Sequence, residues 1–430
     1  MPDPPPSPAS ARPVGSTRSP ASARVAVIGG GPAGLMAAEV LARSGARVTV
    51  FERMPSVGRK LLVAGRGGLN LTHSEPIDRL LDRYGPARSV LAPPIADFGP
   101  SELRAWCDAL GQAPFVGTSG RVFPSGFRAT PLLRAWLRRL DELGVALQVR
   151  HSWRGWAEDG VRVADAAGVE RIEPADAVVL ALGGASWPRT GSDGAWTDVV
   201  RAEGIEVVPL RPINVGVEVG WTTTFAERFA GTPLKNVAVS VGGVAGGPAR
   251  ARGDAMVTTA GLEGGVIYAV GRELGAALDV AGLGGVVLGV DLLPDLPPDE
   301  VVSRLGRRRP KDSISTALRR ALGLSPVAVG LLREATGNDI PGSGDELAAL
   351  VKAVPVLVTG RRPIARAIST AGGIALAEVD ASFMLRRRPG TFVAGEMLDW
   401  DAPTGGYLLQ ATFSTAVAAA RGALDWIALR

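Results

Sequence analysis

The apolar residues of this chain fall into two alternating textures. Arg24-Val-Ala-Val-Ile28 is a short, almost continuous apolar run, as in a strand covered on both faces, and it ends in Gly29-Gly-Gly-Pro-Ala-Gly34. Leu35–Arg43 then takes helical period, Gly45 stops it, and Ala46–Phe51 is a second apolar run closing on Glu52. Strand, glycine turn, helix and strand make a βαβ unit, which predicts a parallel sheet. Amphipathic spacing predicts helices over Glu102–Leu110 and Leu132–Leu143, closed by Gly111 and Gly144. Val145–Pro174 alternates with polar turns and predicts a β-meander. The wholly apolar Ala177–Leu182 predicts a central strand ending at Gly183-Gly184.

After about residue 205 the pattern shifts to β-branched runs such as Val215–Val219 and Val237–Val241, separated by glycine turns. Residues 296–352 return to helical period, with Pro297-Pro298 at the entrance and candidate helices over Ser313–Leu322 and Gly344–Val354. The strand-and-glycine style of the first third comes back at Thr370–Ile374 and Thr391–Ala394, and Leu408–Leu429 reads as a closing helix. The expected architecture is therefore α/β. A discontinuous Rossmann-like dinucleotide-binding domain, 23–205 with 360–430, is interrupted by a β-barrel-like domain, 206–292 with 353–363 as a candidate addition, and by a small helical insert, 293–352.

Composition narrows the chemistry. At 430 residues with 46% hydrophobic and 21% charged, the chain is globular and long enough for two or three domains. One cysteine, Cys107, excludes an internal disulfide and any dithiol reductase; inside a helix it reads as a small buried hydrophobe. Two histidines, His73 and His151, argue against a multi-histidine metal centre, so no metal is expected and redox chemistry needs an organic cofactor. The net charge of +5 is arginine bias, since only Lys60, Lys235, Lys311 and Lys352 are lysines. The runs Arg307–Arg309 and Arg386–Arg388 lack interleaved aromatics, so no nucleic-acid partner is expected. No apolar stretch approaches the roughly 18–20 residues of a membrane helix. Residues 1–22, rich in Pro, Ser and Ala, read as a disordered tail without a secretory core. A soluble cytoplasmic protein is the expectation, with oligomeric state left open.

The sharpest signal is Gly29-x-Gly31-x-x-Gly34. The first glycine permits the tight turn, the second lets backbone approach a pyrophosphate, and the third lets helix and strand pack closely. Pro32 and Ala33 complete the turn, and the helix N-terminus offers free N–H groups and partial positive charge to the diphosphate. Glu52, at the end of the second strand, suits ribose hydroxyls. The fingerprint serves NAD and FAD alike. No second glycine-rich βαβ unit is evident, because Gly242–Gly247 lacks strand, helix and acid around it.

Six ordered segments carry a resemblance: VAVIGGGPAG (25–34), GRKLLVAGRGGLNLTH (58–73), GRVFP (120–124), VVLALGGASWPRTGSDG (178–194), STAGGI (369–374) and FVAGEMLDWDAPTGGYLLQATFSTA (392–416). From about residue 24 to 428 the chain resembles the two-dinucleotide-binding-domain flavoproteins. Within them it resembles a bacterial family of FAD-binding proteins that includes aminoacetone oxidase and NAD(P)/FAD-dependent oxidoreductases. The resemblance implies FAD as cofactor. It implies contacts from Arg53 beside Glu52, from Lys60, Gly67, Gly68, Asn70 and Thr72 in the second segment, and from Gly183 and Gly184. It further implies contacts from Gly373, and from Gly395, Glu396, Asp399, Gly405, Gly406 and Tyr407 at the flavin and ribityl chain. Departures are Leu69 in place of the usual cysteine, Gly261-Leu-Glu-Gly-Gly265, and Tyr407-Leu-Leu-Gln410.

The residues of the last segment support the same picture. Gly395 precedes Glu396 directly after a strand, and Gly405-Gly406 precede a long helix, so N–H groups again face an anion. Charge developing on the flavin's pyrimidine edge would be stabilised there. Glu396 and Asp399 have the alternative of binding their own turn. His73 reads as a hydrogen-bonded loop histidine rather than a covalent flavin link or proton relay. Trp187, Trp196 and Trp400 lie near cofactor loops, either walling a pocket or packing the core.

Three functions compete on this reading, and no catalytic base is named. The first is an FAD enzyme oxidising a small amine with oxygen as acceptor. The second is an NAD(P)H-dependent reductase of a conjugated or carbonyl substrate. The third is a non-catalytic flavin-binding protein.

Overall fold

The computed structural model describes residues 22–242, 249–307, 311, 313–342 and 344–430. All but the last residue of the tail read over 1–22, most of Gly242–Gly247, and Arg308 and Arg309 lie outside the described residues. Five parallel strands form the central sheet, in the order Thr391–Val393, Ala177–Leu180, Arg24–Ile28, Arg47–Glu52, Ala146–Val149. Val25–Ile28 and Ala177–Leu180 are buried throughout, as unbroken apolar runs in a sheet covered on both faces require. The helix Pro32–Arg43 follows the first strand with proline in its first turn, where a missing N–H costs nothing. The closing helix Tyr407–Ala428 packs along it and joins the same apolar core.

Two sequence expectations need correction. Ala146–Val149 does not open the meander; it pairs in parallel with Arg47–Glu52 as the sheet's edge. The helix Ala129–Glu142, ended near Gly144 (φ +74°), acts as a crossover that returns the chain to the sheet. The antiparallel strands proper are Ser152–Ala157, Gly160–Ala164 and Glu170–Pro174. Likewise Ser369–Ile374 does not rejoin the parallel sheet but pairs antiparallel with Val207–Ile213. Gly372 (φ +84°) makes this close pairing possible, since a Cβ would lie 2.2 Å from the Pro209 carbonyl oxygen, and a Cβ on Gly373 (φ +138°) would lie 2.4 Å from the Met397 carbonyl oxygen of the turn Gly395–Met397.

Between the two strands of this ribbon the chain builds a second body. Six strands close into a barrel, in the order Val217–Val219, Gly261–Glu263, Ala249–Thr258, Pro233–Val241, Val286–Asp291, Val354–Arg361. Helices Pro298–Gly306, Ile314–Leu322, Pro326–Ala335 and Gly344–Lys352 pack on it, and one apolar core serves both, with Val239, Leu288 and Val356 beside Leu305, Leu318 and Leu331. Two of these helices were visible in the sequence. The helix Pro326–Ala335 was missed despite its cap: the Ser325 hydroxyl accepts the Ala328 N–H at 3.3 Å. Where the ribbon enters the second body, the Ile368 N–H donates to the Asn214 carbonyl at 3.1 Å. Across the seam Arg272 reaches the Asp401 carboxylate and the Arg83 carbonyl. Among the described residues no helix is long and apolar enough to cross a membrane, and no cluster of three or more His, Cys, Asp or Glu could hold a metal ion.

Candidate active site

A cavity of about 790 Å3 runs from the glycine turn to the seam between the two bodies. That lies within the usual size range of a ligand pocket. At one end its wall starts from the glycine turn. Gly29 (φ +106°) turns so tightly that a Cβ would sit 2.3 Å from the Ala181 carbonyl oxygen, and one on Gly34 would sit 1.9 Å from that of Gly29. A Cβ on Gly31 would meet nothing within 4 Å. The first and third glycines therefore answer to packing and the second faces open space, as a pyrophosphate cradle needs.

Glu52 is held by its own turn, Oε2 accepting the Gly30 N–H and Oε1 the Met54 N–H, each at 2.8 Å. Each oxygen keeps a lone pair for a ribose hydroxyl. Arg53 pairs with Asp193 at 2.7 Å. Lys60 donates to Glu396 at 2.6 Å and to the Ser186 hydroxyl at 2.7 Å. Glu396 also accepts the Thr370 and Gly184 N–H groups, so it binds its own turns while facing the cavity.

Gly29, Gly31, Pro32, Ala33, Glu52, Arg53, Lys60, Asn70, Gly183, Glu396, Gly405 and Gly406 all line this one cavity. Gly34, Gly67, Gly68, Gly184, Gly373 and Gly395 lie off the lining. Thr72 is turned away, its hydroxyl donating to Gln410 at 2.6 Å in the core. Asp399 also lies off the lining, with its backbone N–H on the Ile374 carbonyl; burial pushes its carboxyl pKa up, against the pull of Arg211. The Tyr407 ring stacks on His73 at 5.3 Å, and burial, reinforced by Glu75, pushes its phenol pKa up. Both nitrogens of His73 are taken up, one facing the Ser119 carbonyl and the other the Glu75 N–H, which suits a loop histidine.

At the seam the wall is made of side chains. Arg121 and Leu69 come from the first body, Gly265 and Tyr268 from the barrel, Ile368 and Ser369 from the ribbon, and Thr404 from the loop before the closing helix. Trp400 is buried here, its indole N–H on the Gly395 carbonyl at 2.9 Å. Trp196 likewise donates to the Gly183 carbonyl, and Trp187 stands half-exposed at the rim. Burial first, then Glu263, pushes the Tyr268 phenol pKa up, so it stays protonated over a wide range. Sequence reasoning missed Arg121 and Tyr268 as site residues; the only trace was the GRVFP segment.

The residues present fit a large polar cofactor. Among the described residues, eight buried side-chain polar atoms have no hydrogen-bond partner. Five of them, Arg53 Nε, Arg59 Nε, Asn70 Oδ1, Trp153 Nε1 and Ser192 Oγ, belong to residues lining this cavity. Buried polar atoms are nearly always partnered, so their convergence marks a place where a ligand completes the hydrogen bonding.

Comparison with known proteins agrees. Residues 23–422 match the HI0933-like protein Rossmann domain. The chain is 25% identical over 420 residues to a 3-dehydro-bile acid delta(4,6)-reductase of Clostridium scindens, spanning 94% of this chain and 99% of that one. It is 23% identical over 424 residues to a ribosomal RNA dihydrouridine synthase of Haemophilus influenzae, spanning 92% and 96%. Among solved structures it resembles the open conformation of a flavocytochrome c3 fumarate reductase, with TM-score 0.50 and 15% identity over 94% of this chain and 78% of that one. With a dinucleotide cradle at one end of the cavity and a family match along almost its whole length, the chain belongs to the HI0933-like Rossmann-domain family and is an FAD-dependent oxidoreductase.

Proposed function

We propose that this protein is a cytoplasmic, NAD(P)H-dependent reductase that adds hydrogen across a carbon–carbon double bond conjugated to a carbonyl group. The observation that carries the reading is the charge of the seam end. Arg121 stands there beside Tyr268, Ser369 and Thr404 with no partner among the described residues, and Glu396, the carboxylate next along the lining, is taken up by Lys60 and two backbone N–H groups. An ammonium substrate would meet a positive charge there with nothing to neutralise it, whereas a carbonyl oxygen would meet hydrogen-bond donors. The two full-length relatives point the same way, since a delta(4,6)-reductase and a dihydrouridine synthase both, by name, saturate such a bond.

When bound, FAD supplies two-electron hydride chemistry; the chain's own residues bind, orient and exclude water. Gly29–Ala33, Glu52 and Arg59 would hold the dinucleotide half. Lys60 and Glu396 fix the middle of the cavity to the strand ends, and Trp400 seals its floor. Tyr268 would serve as a neutral proton donor. Gly405 and Gly406 present N–H groups at the start of the closing helix, where negative charge is stabilised.

Anaerobic mixing tests the reading. NADPH or NADH should bleach the purified yellow protein, and 2-cyclohexen-1-one should then restore the colour at least about tenfold faster than cyclohexanone. Bleaching by aminoacetone with peroxide release in air, and no recovery with the enone, would replace this proposal with amine oxidation.

A further inference from the structure

Five of the eight Asp, Glu, Lys and Arg side chains that line the cavity are taken up inside the protein. Arg53 is paired with Asp193, Lys60 with Glu396, and Glu52 with two backbone N–H groups. Arg59 touches only the Ser56 hydroxyl, at 3.4 Å, and sits beside Gly58 at the dinucleotide end, where a diphosphate would neutralise it. Arg154 is exposed on the antiparallel sheet. Arg121 is different: it lines the seam end, is only partly exposed, and has no hydrogen bond or ion pair from its guanidinium among the described residues.

Its backbone is well fixed. Arg121 starts the strand Arg121–Pro124, which pairs with Thr72–His73 on one side and Pro114–Val116 on the other. Val122 is fully buried, so alternation puts Arg121 on the opposite face from that anchor. The guanidinium stem reaches the start of the closing helix, where a Cβ on Gly405 would come 3.7 Å from Arg121 Nε. A rigid strand thus presents a fork of N–H donors into a pocket, with no partner of its own. A partly buried cation held without a counter-charge is costly unless a ligand supplies one.

We infer that Arg121 holds the carbonyl oxygen of the substrate, making it the residue that selects α,β-unsaturated ketones and amides. This deepens the reductase reading and rests on it. In the step concerned, the β-carbon receives a hydride from the NAD(P)H-reduced cofactor, and the hydride's electron pair becomes the new C–H bond. The π electrons of the C=C bond shift so that negative charge gathers on the carbonyl oxygen, where Arg121 donates hydrogen bonds. The α-carbon then takes a proton and the carbonyl reforms. Arg121 acts on charge that is small in the substrate and full in the enolate, so its contribution favours the transition state.

The test compares wild-type holoenzyme with Arg121→Met and Arg121→Lys. One readout is independent of turnover: binding of 4-nitrophenolate, an oxyanion mimic, followed by the visible spectrum of the oxidised flavin. FAD content and melting temperature are measured alongside. The expected result is a Kd for 4-nitrophenolate raised at least about tenfold in Arg121→Met and partly restored in Arg121→Lys, with nitrobenzene binding unchanged. Reduction of 2-cyclohexen-1-one should fall at least about 100-fold in Arg121→Met. Should Arg121→Met fail to retain FAD, Arg121→Lys decides, with a Kd raised about threefold expected. Wild-type and variant proteins binding the phenolate equally, or a wild type that does not bind it, would overturn the assignment. A wild type that never reduces the enone sinks the reductase reading instead.

Discussion

The two ends of the cavity are built from different materials. At the dinucleotide end the wall starts from a turn of glycines whose missing side chains leave almost no slack, with Glu52, Arg53 and Arg59 around it. At the seam it is side chains, brought together from residues 121, 268, 368–369 and 404 by two bodies and the ribbon between them. The first end is fixed by covalent spacing within one turn. The second exists only when the two bodies are in register. A common cofactor and a variable substrate suit this division: the cradle tolerates little change, while the seam can be rebuilt one side chain at a time.

Three substitutions or treatments probe the contrast, in order of declining effect. Gly34→Val places atoms against the Gly29 carbonyl, 1.9 Å from an ideal Cβ, in a turn that cannot give way. It should cost about 3 kcal/mol or more and leave the protein without bound FAD, read from absorbance near 450 nm and from thermal melting. A yellow variant with wild-type stability would show that the cradle is not rigid. Tyr268→Phe, at the other end, should leave FAD content and melting unchanged while lowering enone turnover about 100-fold. Because burial raises the Tyr268 pKa, the protonated phenol persists into alkaline pH, and the wild-type rate should fall only as pH rises through that raised value. The variant's pH profile should lack that alkaline limb; an unchanged profile would remove Tyr268 from the chemistry. The smallest effect is expected at Cys107, which touches neither end. Its thiol is buried, donates to the Gln112 carbonyl, and is pushed up to about 12 by burial, so a thiol reagent at pH 8 should leave it unlabelled and activity unchanged. Rapid labelling with loss of activity would mean that the first body opens in solution.

The same contrast explains what the sequence made legible. The βαβ unit, the buried central strands and the cradle could be read because each rests on local period or glycine spacing within a few dozen residues. The β character of the second body was also visible in its β-branched runs. A barrel-like domain was expected from them, but its strand order was not legible, since that order depends on pairings such as Val217 with both Leu262 and Arg361, far apart in the chain. Asp399 shows how nearness in sequence misleads. It is three residues from Glu396, yet the intervening 3-10 turn faces Glu396 to the cavity and carries Asp399 behind the Ile374 backbone. Arg121 and Tyr268 were hidden for the converse reason. They share a wall without sharing a periodicity, and only packing brings a strand of one body against a helix of the other.

The ribbon that joins the bodies has a topological consequence. The chain leaves the first body at Asn214 and re-enters it at Ile368, and these two residues are a single hydrogen bond apart. To the sheet beneath, everything between them is one loop with touching ends, so the whole barrel can be lengthened, exchanged or deleted as a cassette without rethreading the strands that grip the nucleotide.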